Sequence, residues 1–236
     1  MIYRNVEILL RKIVRGILRE AITVRPSRAV SSVEAGLALM RKKIASKNVY
    51  VVYVPSIVEQ ALTSGDVTLE SVENGIMGYL VVKPHDGNSW NAGEVKAAAT
   101  QEGKGFGSML YKFAMNDYAG GLIPDRTFVS KKARSLWSKF YKDPNAEKKP
   151  LDISKPHKTP EPIDDALPLS GTQDNEEDAY LNTAYDASAD ASQRSDMMQN
   201  HEKFVTTMAA HKFNRQIVET MIENIGSEFF SRHFNG

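Results

Sequence analysis

The sequence predicts an α/β protein, and three observations carry that reading. Asn48 to Val54 and Ile76 to Lys83 are β-branched and aromatic runs of strand length. A third such run, Gly93 to Thr100, leads into Gly103, Gly105 and Gly107, after which the apolar residues switch to helical spacing. Apolar residues also recur at three- and four-residue intervals near both ends of the chain.

Length and charge bound the rest. A chain of 236 residues with 42% hydrophobic residues supports one substantial core with appendages. With 30 Lys and Arg against 29 Asp and Glu, the chain as a whole carries no surplus of cations for a polyanion, although local surpluses remain open. Cysteine is absent, which excludes disulfides, thiolate metal sites and a Cys nucleophile. No apolar run reaches the roughly 18–20 residues that cross a bilayer, and the N-terminus lacks the layout of a secretion signal. A soluble, unsecreted chain is expected.

Taken in order, Ile2, Val6, Leu9, Leu10, Ile13, Ile17 and Leu18 predict an amphipathic helix, made basic by Arg4, Arg11, Lys12, Arg15 and Arg19. Pro26 closes that segment, assigned to residues 1–28. Ser31, Ser32 and Glu34 offer a cap for a second helix running through Leu37, Met40 and Ile44. The strand from Asn48 stops at Pro55, and a short helix follows over Ile57 to Leu62. Ser64-Gly65-Asp66 and Glu73-Asn74-Gly75 supply turns before the strand at Ile76. Pro84 to Asn91 reads as a hairpin connection into Gly93 to Thr100. After the glycines, Met109, Leu110, Phe113, Ala114 and Tyr118 predict a helix ended by Gly120-Gly121. Thr127 to Val129 is expected as a short strand, and Ser130 to Tyr141 as a helix.

Beyond Asp143 the texture changes. Residues 144–200 are read as an extended linker, rich first in Pro and Lys and then in acid, with eight acidic residues and no Lys or Arg from Asp164 to Ser192. Such a stretch buries too little apolar surface to offset its ordering entropy, so in isolation it should not fold. Helical spacing returns over 201–236 through Phe204, Met208, Ile217, Met221, Ile222 and Ile225. The ends therefore read as arms that dock on a surface.

Clustered glycines between a strand and a helix have two readings: a tight turn, or a cradle whose free N–H groups and helix dipole receive a phosphate. Neither the phosphate-binding NTPase loop nor the dinucleotide spacing is met. The stretch Glu102-Gly103-Lys104-Gly105-Phe106-Gly107-Ser108 does resemble the pyrophosphate-binding turn of the Gcn5-related N-acetyltransferase (GNAT) family. Downstream, Ser130-Lys-Lys-Ala133-Arg-Ser-Leu136-Trp137 is similar to that family's Asn-x-x-Ala-x-x-Leu-Tyr. The resemblance spans about Ala35 to Asp143 and implies a mixed central sheet flanked by helices over 29–143, between the N-terminal helix and the partly helical C-terminal arm. It implies acetyl-CoA as cofactor, with Gln101, Gly103, Lys104, Gly105, Gly107 and Ser108 at the pyrophosphate and the edge of Lys96 to Ala98 along the pantetheine arm. Glu94 is then the base and Tyr141 a substitute acid, because Trp137 stands where the family has its acidic Tyr. Outside the resemblance, Glu94 reads as a solvated strand-edge carboxylate. Asp125-Arg126 reads as a local ion pair or cap, with substrate recognition as the alternative, and the five scattered histidines predict no metal site.

The N-terminal pattern Arg11-Lys12-Ile13-Val14-Arg15-Gly16-Ile17-Leu18-Arg19-Glu20 resembles tailed-phage proteins. That likeness implies a virion structural or interaction protein, in the virion or the host cytoplasm, built on a GNAT-like domain with reduced catalytic machinery. Its arms would dock on other subunits of a homo- or hetero-oligomeric assembly, and its basic helix on nucleic acid or an acidic surface. The alternative expectation is an active acetyl-CoA-dependent N-acetyltransferase acting on an amine.

Overall fold

A computed structural model describes residues 36–63, 69–84, 90–101, 104–151, 180–187 and 191–234. The basic helix expected over 1–28, the turn at Ser64 to Asp66, Glu102, Gly103 and most of the acidic tract lie outside them.

Among the described residues seven strands form one mixed sheet: β1 (Ala38–Ile44), β2 (Lys47–Tyr53), β3 (Ile76–Pro84), β4 (Gly93–Thr100), β5 (Leu122–Ile123), β6 (Ala146–Pro150) and β7 (Thr183–Ala187). Their order across the sheet is β1-β2-β3-β4-β5-β7-β6. All neighbours are antiparallel except β4 and β5, which run parallel. Among the described residues six helices accompany the strands: α1 (Pro55–Thr63), α2 (Leu69–Glu73), α3 (Phe106–Met115), α4 (Lys131–Lys142), α5 (Ala191–Ala210) and α6 (Arg215–Phe234). No helix among the described residues is long and apolar enough to cross a membrane.

Both faces of the sheet are covered. On one, Leu39, Tyr50, Val52, Leu80 and Val95 pack against Leu110, Phe113, Trp137 and Phe140 of α3 and α4. On the other, Met40, Val51, Tyr53 and Tyr79 pack against Phe204, Met208, Met221, Ile222 and Phe229 of α5 and α6. Strands buried on both faces read as continuous apolar runs, which is how β2 and β3 look in sequence. α6 approaches the sheet closely at Gly226, where a Cβ would stand 2.6 Å from Tyr79 Cδ2.

Four expectations need correction. The helix expected through Leu37, Met40 and Ile44 is β1, paired residue for residue with β2 from Ala38↔Tyr53 to Ile44↔Lys47. Leu39 faces one core while Ala38 and Met40 face the other, so the operative period is two. The strand expected at Thr127 to Val129 is a turn instead: Asp125 Oδ1 accepts from the amides of Thr127 and Phe128 at 2.6 and 3.2 Å. Its place in the sheet is taken by β5. The helix expected to reach Tyr118 ends at Met115, where the amides of Asp117 and Tyr118 bond back to Ala114 and Met115.

Finally, 144–200 is not linker throughout. It contributes β6, β7 and the first half of α5, with Leu181, Ala184 and Tyr185 completely buried. The C-terminal helices are correspondingly no outlying arm, because with α1 and α2 they pack on one face of the β1–β4 part of the sheet.

Candidate functional site

β4 is the strand around which the site is built. On one flank it pairs with β3 along its full length, from Pro84↔Gly93 to Gly78↔Thr100. On the other it meets β5 at two positions only, Gly93↔Leu122 and Glu94↔Ile123. Gly121, at φ 71, feeds the chain into β5, and its carbonyl accepts from the Gly93 amide at 2.9 Å. Past Ile123 the pairing ends at Pro124, so among the described residues Val95 to Thr100 have no strand neighbour on that flank. Although β4 is the middle strand of seven, Lys96, Ala97 and Ala98 are only half-buried.

The β3–β4 register slips once. Val81 pairs with Ala97 and Val82 with Val95, so Lys96 is an extra residue in a β-bulge. The bulge shifts the face that each residue presents: Val95 joins the α3/α4 core, while Ala97 and Ala99 join the α5/α6 core.

Beside the bulge lies a charged cluster. Glu94 is only 4% exposed, and its Oε1 accepts from Lys96 Nζ at 2.6 Å and from the Arg126 amide at 2.7 Å. Lys96 Nζ also lies 3.4 Å from Asp125 Oδ2. Burial alone would lower the Lys96 pKa, but the two carboxylates outweigh it and the net shift is upward. Arg126 turns its guanidinium to the Leu181 carbonyl and to Asn182 Oδ1, tying this loop to the approach to β7. Burial pulls its pKa down to about 10 against the opposing pull of Glu94 and Asp125.

At the other end of β4 the chain enters α3. Gln101 extends the ladder, its amide donating to the Met77 carbonyl at 3.0 Å and its side chain to the Ile76 carbonyl at 3.1 Å. Its side chain is thus committed to β3. Lys104 and Gly105 are exposed. Gly105 caps α3 in the left-handed region, at φ 76, with no side-chain cap and with open space where a Cβ would be. The first intrahelical bond runs from the Met109 amide to the Gly105 carbonyl, so the amides of Phe106, Gly107 and Ser108 have no acceptor within the helix. A Cβ on Gly107 would stand 3.5 Å from Thr100 Oγ1, which places the turn against the end of β4.

The structure therefore brings Lys104, Gly105, Gly107 and Ser108 together at one end of β4 and Glu94 at the other. Gly103 is outside the described residues. Tyr141 is 42% exposed near the end of α4, and no described contact joins it to Glu94. Trp137 is buried on the inner side of α4 among Tyr111, Phe140 and Tyr185. Glu94 is not a solvated edge carboxylate, and Asp125 is indeed a cap. Sequence reasoning placed Lys96 only on the strand edge and missed its pairing with Glu94, whose available signal was the spacing: residues two apart on a strand share a face.

A cleft of about 610 Å³ elsewhere, between β1, α5 and α6, is also charged. Its groups neutralise one another: Arg41 and Arg194 pair with Asp117, and Arg215 with Glu202 and Glu219. No net charge is left there to select a ligand. Among the described residues no group of three or more His, Asp or Glu could hold a metal ion.

Fold and site together define a mixed α/β protein with a charged cluster and a glycine turn at opposite ends of an interrupted strand. Compared with family models, curated proteins and solved structures, the chain matches none.

Proposed function

We propose that this chain binds an acyl-coenzyme A thioester along the free flank of β4 and passes the acyl group to an amine, as GNAT enzymes do. One observation carries the reading. A central strand loses its parallel neighbour after two residues, at Glu94, and runs with that flank open into an uncapped, glycine-bearing helix start. Unpaired strand groups suit an extended amide-containing arm, and free helix amides suit a pyrophosphate. The open space around Gly105 and the exposed Lys104 fit an anion at that turn.

When bound, the thioester supplies an activated acyl carbon. Phe106, Gly107 and Ser108 hold the diphosphate through their amides, with Lys104 adding charge. Val95 to Thr100 align the arm by strand-like bonds. Glu94 is the group placed to take the acceptor's proton, within a cluster where Lys96 and Asp125 fix its orientation. Trp137 has no proton of useful acidity, so it would not serve as the acid and that proton would have to come from water.

A second reading, an assembly protein of virion type on the same scaffold, is favoured by Glu94 being fully engaged by Lys96 and Arg126 and by Gln101 being turned to β3. Calorimetric titration with acetyl-CoA separates the two. Gly105→Glu is the paired variant: the left-handed backbone costs it about 1–2 kcal/mol, which leaves a folded protein with an acid in the cradle. Micromolar binding that disappears in Gly105→Glu supports the transferase reading. Absence of binding by folded wild-type protein overturns it and leaves the assembly reading.

A further inference from the structure

The outer face of α4 is cationic along its whole length. The helix sequence KKARSLWSKFYK carries five cations and no acid, in a chain whose net charge is only +1. The buried residues Trp137 and Phe140, with the half-buried Ala133, form one stripe at helical spacing. Lys131 and Lys142 fall opposite that stripe, since 3.6 residues per turn brings positions eleven apart to within about 20°, and Lys139 stands on the same exposed side about 80° round the helix. The inner stripe locks the helix against rotation, so the cations are held outward. Lys131, Lys139 and Lys142 are exposed and form no salt bridge with any described residue. From Lys131 to Lys142 the stripe spans about 16 Å, at about 1.5 Å of rise per residue.

Two aromatic rings flank it. Phe128, 62% exposed, precedes the helix, and Tyr141, 42% exposed, lies near its end. They are two of three large hydrophobic side chains exposed among the described residues. The nearest acids are committed elsewhere: Asp143 accepts from the Asn145 amide and faces Lys112, and Glu147 pairs with Lys149.

We infer that this face of α4 binds single-stranded nucleic acid, with phosphates along Lys131, Lys139 and Lys142 and bases stacked on Phe128 and Tyr141. Cations in a row with exposed rings beside them are what a flexible polyanion with unpaired bases requires. A membrane surface is disfavoured, because the outward stripe holds no aliphatic residue to enter the acyl region. The inference is independent of the acyl-coenzyme A reading, whose groups lie on β4 and at the start of α3.

Fluorescence anisotropy of the full chain with a labelled mixed-sequence single-stranded oligonucleotide tests it, across salt from about 50 to about 200 mM. Wild type should bind with marked salt dependence. Lys131→Glu/Lys139→Glu/Lys142→Glu should weaken binding at least tenfold and flatten the log–log salt slope by about 2, at about 0.7 per lost phosphate contact. Tyr141→Ser should weaken binding severalfold and leave the slope unchanged. Excess coenzyme A should not displace the strand, and the triple variant should retain whatever coenzyme A affinity wild type has. Circular dichroism checks the fold, and if the triple variant fails to fold, Lys139→Glu with Tyr141→Ser replaces it. No binding by wild type, undiminished binding by the variants, or displacement by coenzyme A overturns the inference.

Discussion

Replacing Lys96 by methionine keeps the length of the side chain and removes the ammonium that Glu94 holds at 2.6 Å. Breaking a fully buried ion pair from one side costs about 3–5 kcal/mol, because the remaining charge stays buried without its partner. Here the Lys96 side chain is 27% exposed against 6% for Glu94, and the Arg126 amide still bonds the carboxylate, which brings the expected loss to about 2–3 kcal/mol. For a domain of this size that is a fall in Tm of about 4–12 °C. Glu94→Gln should cost less, about 1–2 kcal/mol, since the amide oxygen can still accept from Arg126 and Lys96 keeps Asp125 at 3.4 Å. The decisive quantity is the coupling. Urea unfolding of both single variants and the double should give an interaction of about 1–2 kcal/mol between the sites. Additivity within about 0.5 kcal/mol, with each single change below that figure, would refute the claim that these side chains act as one unit.

Three further outcomes follow from the fold. His201 is buried, with Nδ1 2.8 Å from the Tyr53 hydroxyl and Nε2 3.6 Å from Glu219. Burial lowers its pKa below the ordinary 6.5, against Glu219 and Glu202, which raise it; Arg215 lowers it further. The unfolded chain therefore binds that proton first, so its contribution to stability is complete above pH 6.5 and is lost as pH falls below it. His201→Gln should flatten the acid side of a Tm-against-pH profile, and an unchanged profile would exclude His201 as its source. Gly226→Val drives a side chain into Tyr79 and should cost about 1–3 kcal/mol by overpacking, read as a lower urea midpoint with unchanged slope. Ser130→Ala removes the hydroxyl that accepts from the Ala133 amide at 3.3 Å, and should cost about 1 kcal/mol in the same assay.

Where an element's local pattern and its tertiary role agree, the sequence was readable. β2 and β3 announce themselves as β-branched runs because both of their faces are buried, and α4 does so through Ser130 and the Trp137–Phe140 stripe. β1 misleads because Leu37, Met40 and Ile44 happen to be spaced like a helix while the residues between them alternate between two cores. β5 is two residues long, shorter than any period can register. β7 sits within an acid-rich stretch, and composition averaged over that stretch hides the short buried run of Ala184 and Tyr185.

The site divides along the same line. Glycines and an acid on a strand can be seen one residue at a time, so Gly105, Gly107 and Glu94 were visible. The pairing of Lys96 with Glu94 was legible only in their two-residue spacing, while the bulge at Lys96 is a property of two strands in register. β3 spends one residue, from Val81 to Val82, where β4 spends two, from Ala97 back to Val95. That slip hands alternate residues of β4 to opposite cores. Without it, Val95 and Ala97, two apart on the strand, would share a face. The residue at the bulge is Lys96 itself, whose ammonium lies beside the buried carboxylate of Glu94. A variant that deletes Lys96 should therefore disturb packing on both faces of the sheet as well as the charge cluster, whereas Lys96→Met should disturb the cluster alone.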